Sequence, residues 1–232
     1  MALVPPVPTP TIPTIRQASL SDLDAITAVT VAAFPSDPQH SYRFPHASLH
    51  LADQYYYYHL SVAELLAIAA TGAYSVMVAE MPSDEDVSVS QIVAVSVWRI
   101  PATHVRRENV PITSASTVHP SPCDVSLSHK QAWRPALAAG KRRIFDPYYG
   151  DDHFSLYNLA THPKYQRRGV GTKLCQWGMA RAKEQGKGVT LFASPMGERV
   201  YRRLGFREIG VVAVQVEGEE EKVEIPALVW EG

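Results

Sequence analysis

Two glycines separated by a single residue, at the junction of a strand-like segment and a helix, constrain this sequence most. Residues 154–161 read as a strand, and helical spacing of apolar residues predicts a helix over 169–185. Gly169 and Gly171 let backbone N–H groups approach a ligand without a Cβ in the way. The first N–H groups of a helix have no internal partner, and the helix dipole adds partial positive charge there. The sequence therefore predicts a phosphate seat over residues 166–172.

Strands and helices alternate along most of the chain. The predicted strands are 14–18, 74–80, 91–100, 154–161, 189–193, 206–216 and 223–230, and the predicted helices are 21–34, 49–70, 169–185 and 196–204. This order predicts one α/β domain over 14–232. Residues 1–13 are proline-rich and predict an extended arm. Residues 101–150 carry six prolines and no sustained period, which predicts a long variable insertion.

Composition narrows the class of partner. The 232 residues hold 22 Lys and Arg against 23 Asp and Glu, a net charge of -1, so no nucleic-acid partner is expected. The two cysteines form no disulfide framework, and the chain shows no metal-ligand spacing. No apolar run is long enough for a membrane span, and the first residues lack the features of a secretion signal. We expect a soluble cytoplasmic protein without a metal.

Other phosphate-binding loops fit the sequence poorly. The dinucleotide fingerprint G-x-G-x-x-G requires a third glycine where this chain has Leu174. The P-loop requires Gly-Lys followed by Ser or Thr, whereas Lys141 is followed by Arg142 and Lys187 by Gly188.

Three motifs in order resemble the acetyl-CoA-binding core of the GNAT acetyltransferase superfamily. They are Leu159-Ala160-Thr161-His162-Pro163, Gln166-Arg167-Arg168-Gly169-Val170-Gly171 and Tyr201-Arg202-Arg203-Leu204-Gly205-Phe206. The second is similar to the family pattern [RQ]-x-x-G-x-[GA], and the third to Y-x-x-x-G-F. Residues 193–197, with the sequence Ala-Ser-Pro-Met-Gly, also resemble a fungal branch of the family.

The resemblance implies an α/β fold with a mixed sheet of about six to seven strands, flanking helices and a splay between the fourth and fifth strands. Acetyl-CoA would lie in that splay as co-substrate. The implied contacts are Leu159, Ala160, Thr161, Gln166, Arg167, Arg168, Gly169, Val170, Gly171, Thr172, Ser194, Gly197 and Tyr201. Amides of 167–172 would hold the pyrophosphate, and the backbone of Leu159 and Thr161 would pair with the pantetheine arm. Ser194 stands where many relatives carry Asn.

The resemblance also implies that Tyr201 protonates the departing thiolate. A phenol with a pKa of about 10 keeps its proton at neutral pH. Taken alone, Tyr201 also fits an ordinary tyrosine packed beside Phe206. The general base has four candidates: Asp151, Asp152, His153 and Tyr157. We favour His153, because the unperturbed pKa of histidine lies near neutrality.

The predicted reaction moves acetyl from acetyl-CoA to a primary amine of a small molecule, such as an arylalkylamine, polyamine, amino acid or aminosugar. A protein lysine or N-terminus is the alternative acceptor. A non-catalytic acyl-CoA-binding module and an interaction protein that uses the proline-rich arm are the competing classes. The sequence leaves the acceptor and a homodimer open, because acceptor loops vary freely on one fold.

Overall fold

The computed structural model describes residues 12–101 and 125–232. Most of the proline-rich arm, residues 1–11, and residues 102–124 of the predicted insertion lie outside the described residues.

Seven strands and seven α-helices make up the described chain. The strands are β1 Thr14–Gln17, β2 Tyr74–Pro82, β3 Ser90–Arg99, β4 Phe154–Thr161, β5 Val189–Phe192, β6 Arg207–Gln215 and β7 Lys222–Trp230. The helices are α1 Leu23–Ala33, α2 Pro38–Arg43, α3 Leu51–Ala69, α4 Leu127–Gly140, α5 Asp146–Tyr149, α6 Val170–Glu184 and α7 Pro195–Arg203. Every predicted strand and helix is present within a few residues of its predicted bounds.

The strands form a single mixed sheet in the order β1-β2-β3-β4-β5-β7-β6. Neighbours run antiparallel except for β4 and β5, which are parallel and joined through α6. The predicted mixed α/β fold is confirmed.

Helices cover both faces of the central strands, so β3 is apolar on both sides rather than alternating. Val95 and Val97 face α1 and α3, whereas Trp98 packs beneath α6. Val97 and Trp98 point to opposite faces, as successive residues of a strand do, and the register against β4 shifts between them. Trp98 is fully buried, and it approaches the backbone of α6 at Gly178.

A third core cluster, besides those on the two faces of β3, lies under a helical segment that the sequence did not predict. Helix α4, a π-helical turn over Lys141–Phe145 and α5 follow one another without a break. Trp133 and Phe145 bury their rings against β6 and β7. The guanidinium of Arg143 donates to the Val211 carbonyl on β6 at 2.8 Å. Burial of these rings outweighs Pro135, which lies inside α4.

The contact between Trp98 and α6 predicts the effect of a single methyl group. A Cβ added at Gly178 would overlap the Trp98 ring, which is enclosed on all sides. We expect Gly178→Ala to lower the free energy of unfolding by about 1–3 kcal/mol despite the better helix propensity of alanine. Urea unfolding measures this, with Gln176→Ala on the exposed face of α6 as the control. A Gly178→Ala variant as stable as the wild type would contradict the packing.

Candidate functional site

Strands β4 and β5 pair over only part of their length. The register contains three parallel pairs, the last being Leu156 with Leu191, whereas β4 continues to Thr161. Among the described strands, none pairs with the β5-facing edge of β4 beyond residue 156. This confirms the predicted splay, and it leaves backbone groups available to an extended ligand.

Hydrogen bonds to β3 show which β4 residues face this gap. The His162 N–H donates to the Val93 carbonyl at 2.9 Å. Backbone groups alternate between the two edges of a strand, so Ala160 also faces β3, whereas Leu159 and Thr161 face the gap. Leu159 and Thr161 are the positions at which the resemblance implies pairing with pantetheine. Ala160 instead buries its side chain beneath α1 and α3.

The loop from β4 into α6 has an unusual backbone. Arg167 has φ 60°, and it is the one non-glycine residue with positive φ among the described residues. Gly169 follows with φ 79°. Left-handed residues within such a turn aim successive N–H groups into one concavity that suits an anion, and a non-glycine residue held there is typical of functional sites. The Gln166 side chain donates to the Thr161 carbonyl at 3.2 Å and ties the loop to β4.

The loop ends at the start of α6. The first helical hydrogen bond runs from the Lys173 N–H to the Gly169 carbonyl at 3.0 Å, so the amides of residues 170–172 precede any helical acceptor. No atom lies within 4 Å of a Cβ built on Gly169, whereas one built on Gly171 would lie 3.4 Å from the Thr161 hydroxyl. Gly169 therefore faces open space, and Gly171 lets α6 approach β4.

Positive side chains flank the loop. Arg168 lies over the Tyr165 ring, 4.7 Å from its centroid, and pairs with Asp84 at 3.2 Å. Both charged side chains of that pair are about half exposed, so the pair is weak and leaves the guanidinium able to move. Arg167 is exposed beside the gap.

The opposite wall of the gap is built where β5 ends. The Ala193 N–H donates to the Pro226 carbonyl at 2.8 Å, which holds the chain beside β7. The buried Gln39 side chain, from α2, donates to the Ala193 carbonyl at 2.9 Å. Ser194 then caps α7.

Tyr201 lies on α7 and is buried, with 7% of its surface exposed. Its ring packs edge-on against Phe206 at 5.8 Å. A Cβ built on Gly197 would lie 2.6 Å from the ring and 3.0 Å from the hydroxyl, so glycine makes room for the tyrosine. Burial, followed by Cys175 and Asp37, raises the pKa of Tyr201. The hydroxyl therefore keeps its proton at neutral pH.

Asp37 lies at this wall and was missed by the sequence analysis. Its carboxylate accepts from the Gln39 N–H at 2.9 Å, and the nearby Ser194 hydroxyl lowers the pKa of this carboxyl. Burial is the largest influence on the Asp37 carboxyl and raises its pKa. The dipeptide Asp37-Pro38 is typical of a helix start and was a local signal, but no local pattern shows that it lies beside Ser194.

His153, the favoured base, lies elsewhere. It is fully buried immediately before β4, at the end where β4 and β5 are still paired. Its Nε2 is 3.3 Å from an Arg99 nitrogen, and its ring packs edge-on against Tyr149. Burial, followed by Arg99 and Lys141, lowers the pKa of His153 to about 4. The structure does not bring His153 to Tyr201, and this placement argues against proton transfer by His153.

The other candidates for the base also have local contacts. Asp151 pairs with Arg99 at 3.2 Å, and Asp152 pairs with Lys187. Tyr157 is exposed, with its ring edge-on to Tyr74. Within residues 12–101 and 125–232, no group of three or more His, Cys, Asp or Glu side chains is arranged to hold a metal ion. No helix in that part of the chain is long and apolar enough to cross a bilayer.

The sequence of this region matches a known family of protein domains. Residues 138–208 match the model of the acetyltransferase (GNAT) domain. This region of the chain is similar to a GNAT acetyltransferase domain. The match contains the open edge of β4, the loop, α6 and Tyr201, which are the parts that form the gap.

Similar proteins span almost the whole chain. A Stachybotrys chartarum protein named acetyltransferase is 25% identical over 213 residues, which is 91% of this chain and 88% of that protein. A Corynebacterium glutamicum structure described as histone acetyltransferase HPA2 and related acetyltransferase is 22% identical, covers 94% of both chains and has a TM-score of 0.55. A mosquito arylalkylamine N-acetyltransferase like 5b is 17% identical, covers 94% of this chain and 99% of its own, and has a TM-score of 0.56.

These structures share the GNAT fold with this chain. The domain match and the fungal relative support an acyltransferase function. The fungal relative agrees with the resemblance of residues 193–197 to a fungal branch.

The pKa of His153 predicts a pH dependence of stability. Its pKa falls from 6.5 to about 4 on folding, so its contribution is fully present above pH 6.5 and is lost as pH falls from 6.5 towards 4. Between pH 7 and pH 4.5, we expect the free energy of unfolding of the wild type to fall by about 2–3 kcal/mol more than that of His153→Gln, because glutamine takes up no proton in this range. Urea unfolding at both pH values measures this, and the exposed His46→Gln is the control. An equal fall in the free energy of unfolding for the wild type and His153→Gln would contradict the conclusion that the His153 imidazole is neutral and packed.

Proposed function

We propose that this GNAT acyltransferase moves the acetyl group of acetyl-CoA to a primary amine of a small molecule, by direct attack within a ternary complex. The observation that carries the proposal is the continuity of the β4 edge with the loop. Two backbone positions that face no neighbouring strand, Leu159 and Thr161, lead directly into the left-handed turn at Arg167 and Gly169.

The residues present fit acetyl-CoA. An extended pantetheine arm with amide groups matches an open strand edge, because each amide finds a backbone partner. The diphosphate matches the concavity formed by the amides of 167–172, where the start of α6 adds partial positive charge. Ser194 and Gly197 lie across the gap on α7. An N–H of the open edge would polarise the thioester carbonyl as an oxyanion hole does.

Tyr201 is the proposed acid. Its phenol is protonated at neutral pH and can therefore give a proton to the thiolate as the C–S bond breaks. The ring is fixed by Phe206 on one side and by the close approach of Gly197 on the other. Fixed geometry favours this role, because a positioned donor needs little reorganisation when the thiolate forms.

An aromatic cluster lies between α1, α2 and α3, with most of its rings buried. Phe34, His40, Phe44, Tyr57 and Tyr58 form one aromatic cluster, with successive ring centroids 4.9–6.1 Å apart. This cluster lies next to Asp37 in the chain. We propose that this cluster supports the wall beside Asp37, and an arylalkylamine, the class named for the similar mosquito protein, is one small acceptor to test.

A small cavity extends from this cluster to the sheet. Its volume is about 90 Å³, and its lining is mostly aliphatic, with Thr30, Tyr58, Ser61 and Asn158 as polar members. Asn158 belongs to β4 and precedes Leu159 of the open edge. We propose that this cavity receives a small apolar substituent of the acceptor amine.

The proposed seat predicts the effect of a methyl group at Gly169. Gly169 and Gly186 lie at opposite ends of α6, both with positive φ and both with open space at Cβ. Alanine at either position therefore strains the backbone by about 1–2 kcal/mol. Only at Gly169 would the added Cβ also occupy the space through which the phosphate reaches the loop amides. We expect Gly169→Ala to weaken CoA binding at least about tenfold, and Gly186→Ala to bind normally. Calorimetric titration measures the affinity of each variant for CoA, and equal affinities would contradict a phosphate site at this loop.

The acceptor is tested by the release of free CoA. Acetyl-CoA would be incubated with 2-phenylethylamine, spermidine, glucosamine and a lysine-containing peptide. The proposal predicts the fastest release with one of the small amines. Fastest release with the peptide would favour protein acetylation, and CoA binding without release with any amine would favour a non-catalytic binding module.

The proposed acid predicts a change in rate. We expect Tyr201→Phe to lower kcat by about one to two orders of magnitude with the best amine of that panel, because the thiolate then departs without a donor. The KM for acetyl-CoA should change little. Tyr149→Phe, which removes a hydroxyl bonded to Glu231 at 2.6 Å, is the control. An unchanged kcat in Tyr201→Phe would exclude the hydroxyl from the mechanism.

A further inference from the structure

Asp37 is held in a single position by its own helix. Its carboxylate accepts the Gln39 N–H at 2.9 Å and so caps α2, and Pro38 occupies the first helical position. A proline there fixes the backbone for helix entry without losing a donor. The carboxylate is therefore a rigid, half-buried group rather than a mobile surface charge.

Long-range contacts place this carboxylate at the β5 wall of the gap. Gln39 bonds to the Ala193 carbonyl across 154 positions of sequence, which fastens α2 to the end of β5. The next residue, Ser194, lies close enough to Asp37 for its hydroxyl to lower the pKa of that carboxyl. Asp37 and Tyr201 lie close enough for the charge of one to act on the other.

We propose that Asp37 is the proton acceptor of the acetyl transfer and takes a proton from the ammonium form of the acceptor amine on the same wall of the gap as Tyr201. This inference rests on the proposed function. It assigns the role of base to Asp37 instead of His153, which lies at the closed end of β4.

The surroundings of Asp37 suit this role. Burial raises its pKa, and hydrogen bonds from Gln39 and Ser194 oppose the rise. A carboxylate with a raised pKa is a stronger base at the pH at which amines are charged. The titratable and charged groups that act on it are Arg43 of α2 and Tyr201 of α7, and Cys175 of α6 acts on Tyr201 in turn.

The proton transfers balance in the following way. The ammonium gives one proton to Asp37, and the free amine nitrogen attacks the acetyl carbonyl carbon. The C–N bond forms, the C–S bond breaks, and the departing thiolate takes the Tyr201 proton. The remaining surplus proton on the amide nitrogen restores Tyr201, and Asp37 releases its proton to water. One ammonium and one thioester thus give one amide, one thiol and one proton.

A substitution that keeps the helix cap separates this role from a structural one. Asparagine and serine cap helices as well as aspartate does, so Asp37→Asn and Asp37→Ser retain the cap and remove the base. Both variants also remove a charge whose burial raises the pKa, so we expect melting temperatures no lower than the wild type at pH 7. Asp86→Asn is the matched control, because Asp86 accepts an N–H two residues ahead at the same 2.9 Å.

The decisive readout is the pH profile of kcat/KM, measured with the best amine of the CoA-release panel. We expect Asp37→Asn and Asp37→Ser to be slower by about a hundredfold at neutral pH. The deficit should shrink as pH rises and the amine loses its proton without help. Affinity for CoA and the activity of Asp86→Asn should match the wild type.

Two results would overturn the role of Asp37. One is near-normal activity of both variants at neutral pH, and the other is a deficit that is the same at every pH. Either result leaves the proposed function standing if the wild type binds CoA and acetylates an amine. Failure of the wild type in those two assays would instead remove the proposed function and this inference together.

Discussion

The early end of the pairing between β4 and β5 is the constraint on which the site depends. Three parallel pairs close one end of the gap, and the rest of β4 is left with polar groups facing no neighbouring strand. Buried backbone groups require partners, so this edge is stable only where water or a ligand reaches it. The left-handed turn at Arg167 and Gly169 continues the same edge into the amides of α6. A strand defect and a helix start thus form one continuous binding track.

The other wall of the gap draws on a distant part of the chain. Gln39 reaches the end of β5 through one buried hydrogen bond, and the cap of α2 brings Asp37 with it. The segment that holds Asp37 and the end of β5 are therefore fastened to each other by a hydrogen bond. A shift of α2 relative to β5 would move Asp37, Ser194 and Tyr201 relative to one another, so side chains on α1 to α3 influence the site without touching the co-substrate.

The sequence predicts the unit from β4 to α7 well, because glycines at fixed positions and a strong helical period are local signals. It fails where the stabilising contacts are remote. Helix α4 carries Pro135 and depends on rings buried against β6 and β7. Asp37 has a readable helix cap, but its neighbours come from residues 193–201. His153 fits by side-chain chemistry alone, and only the direction of β4 shows that it lies at the closed end of the gap.

Strand β6 is the last strand of the sheet, and such a boundary is a template for unwanted strand addition between molecules. Arg143 occupies one of its outward carbonyls, at Val211, from the segment that also lays α4 over this strand. A second copy that extended the sheet here would have to displace that guanidinium. The same segment that completes the third core cluster therefore also occupies part of this open edge of the sheet.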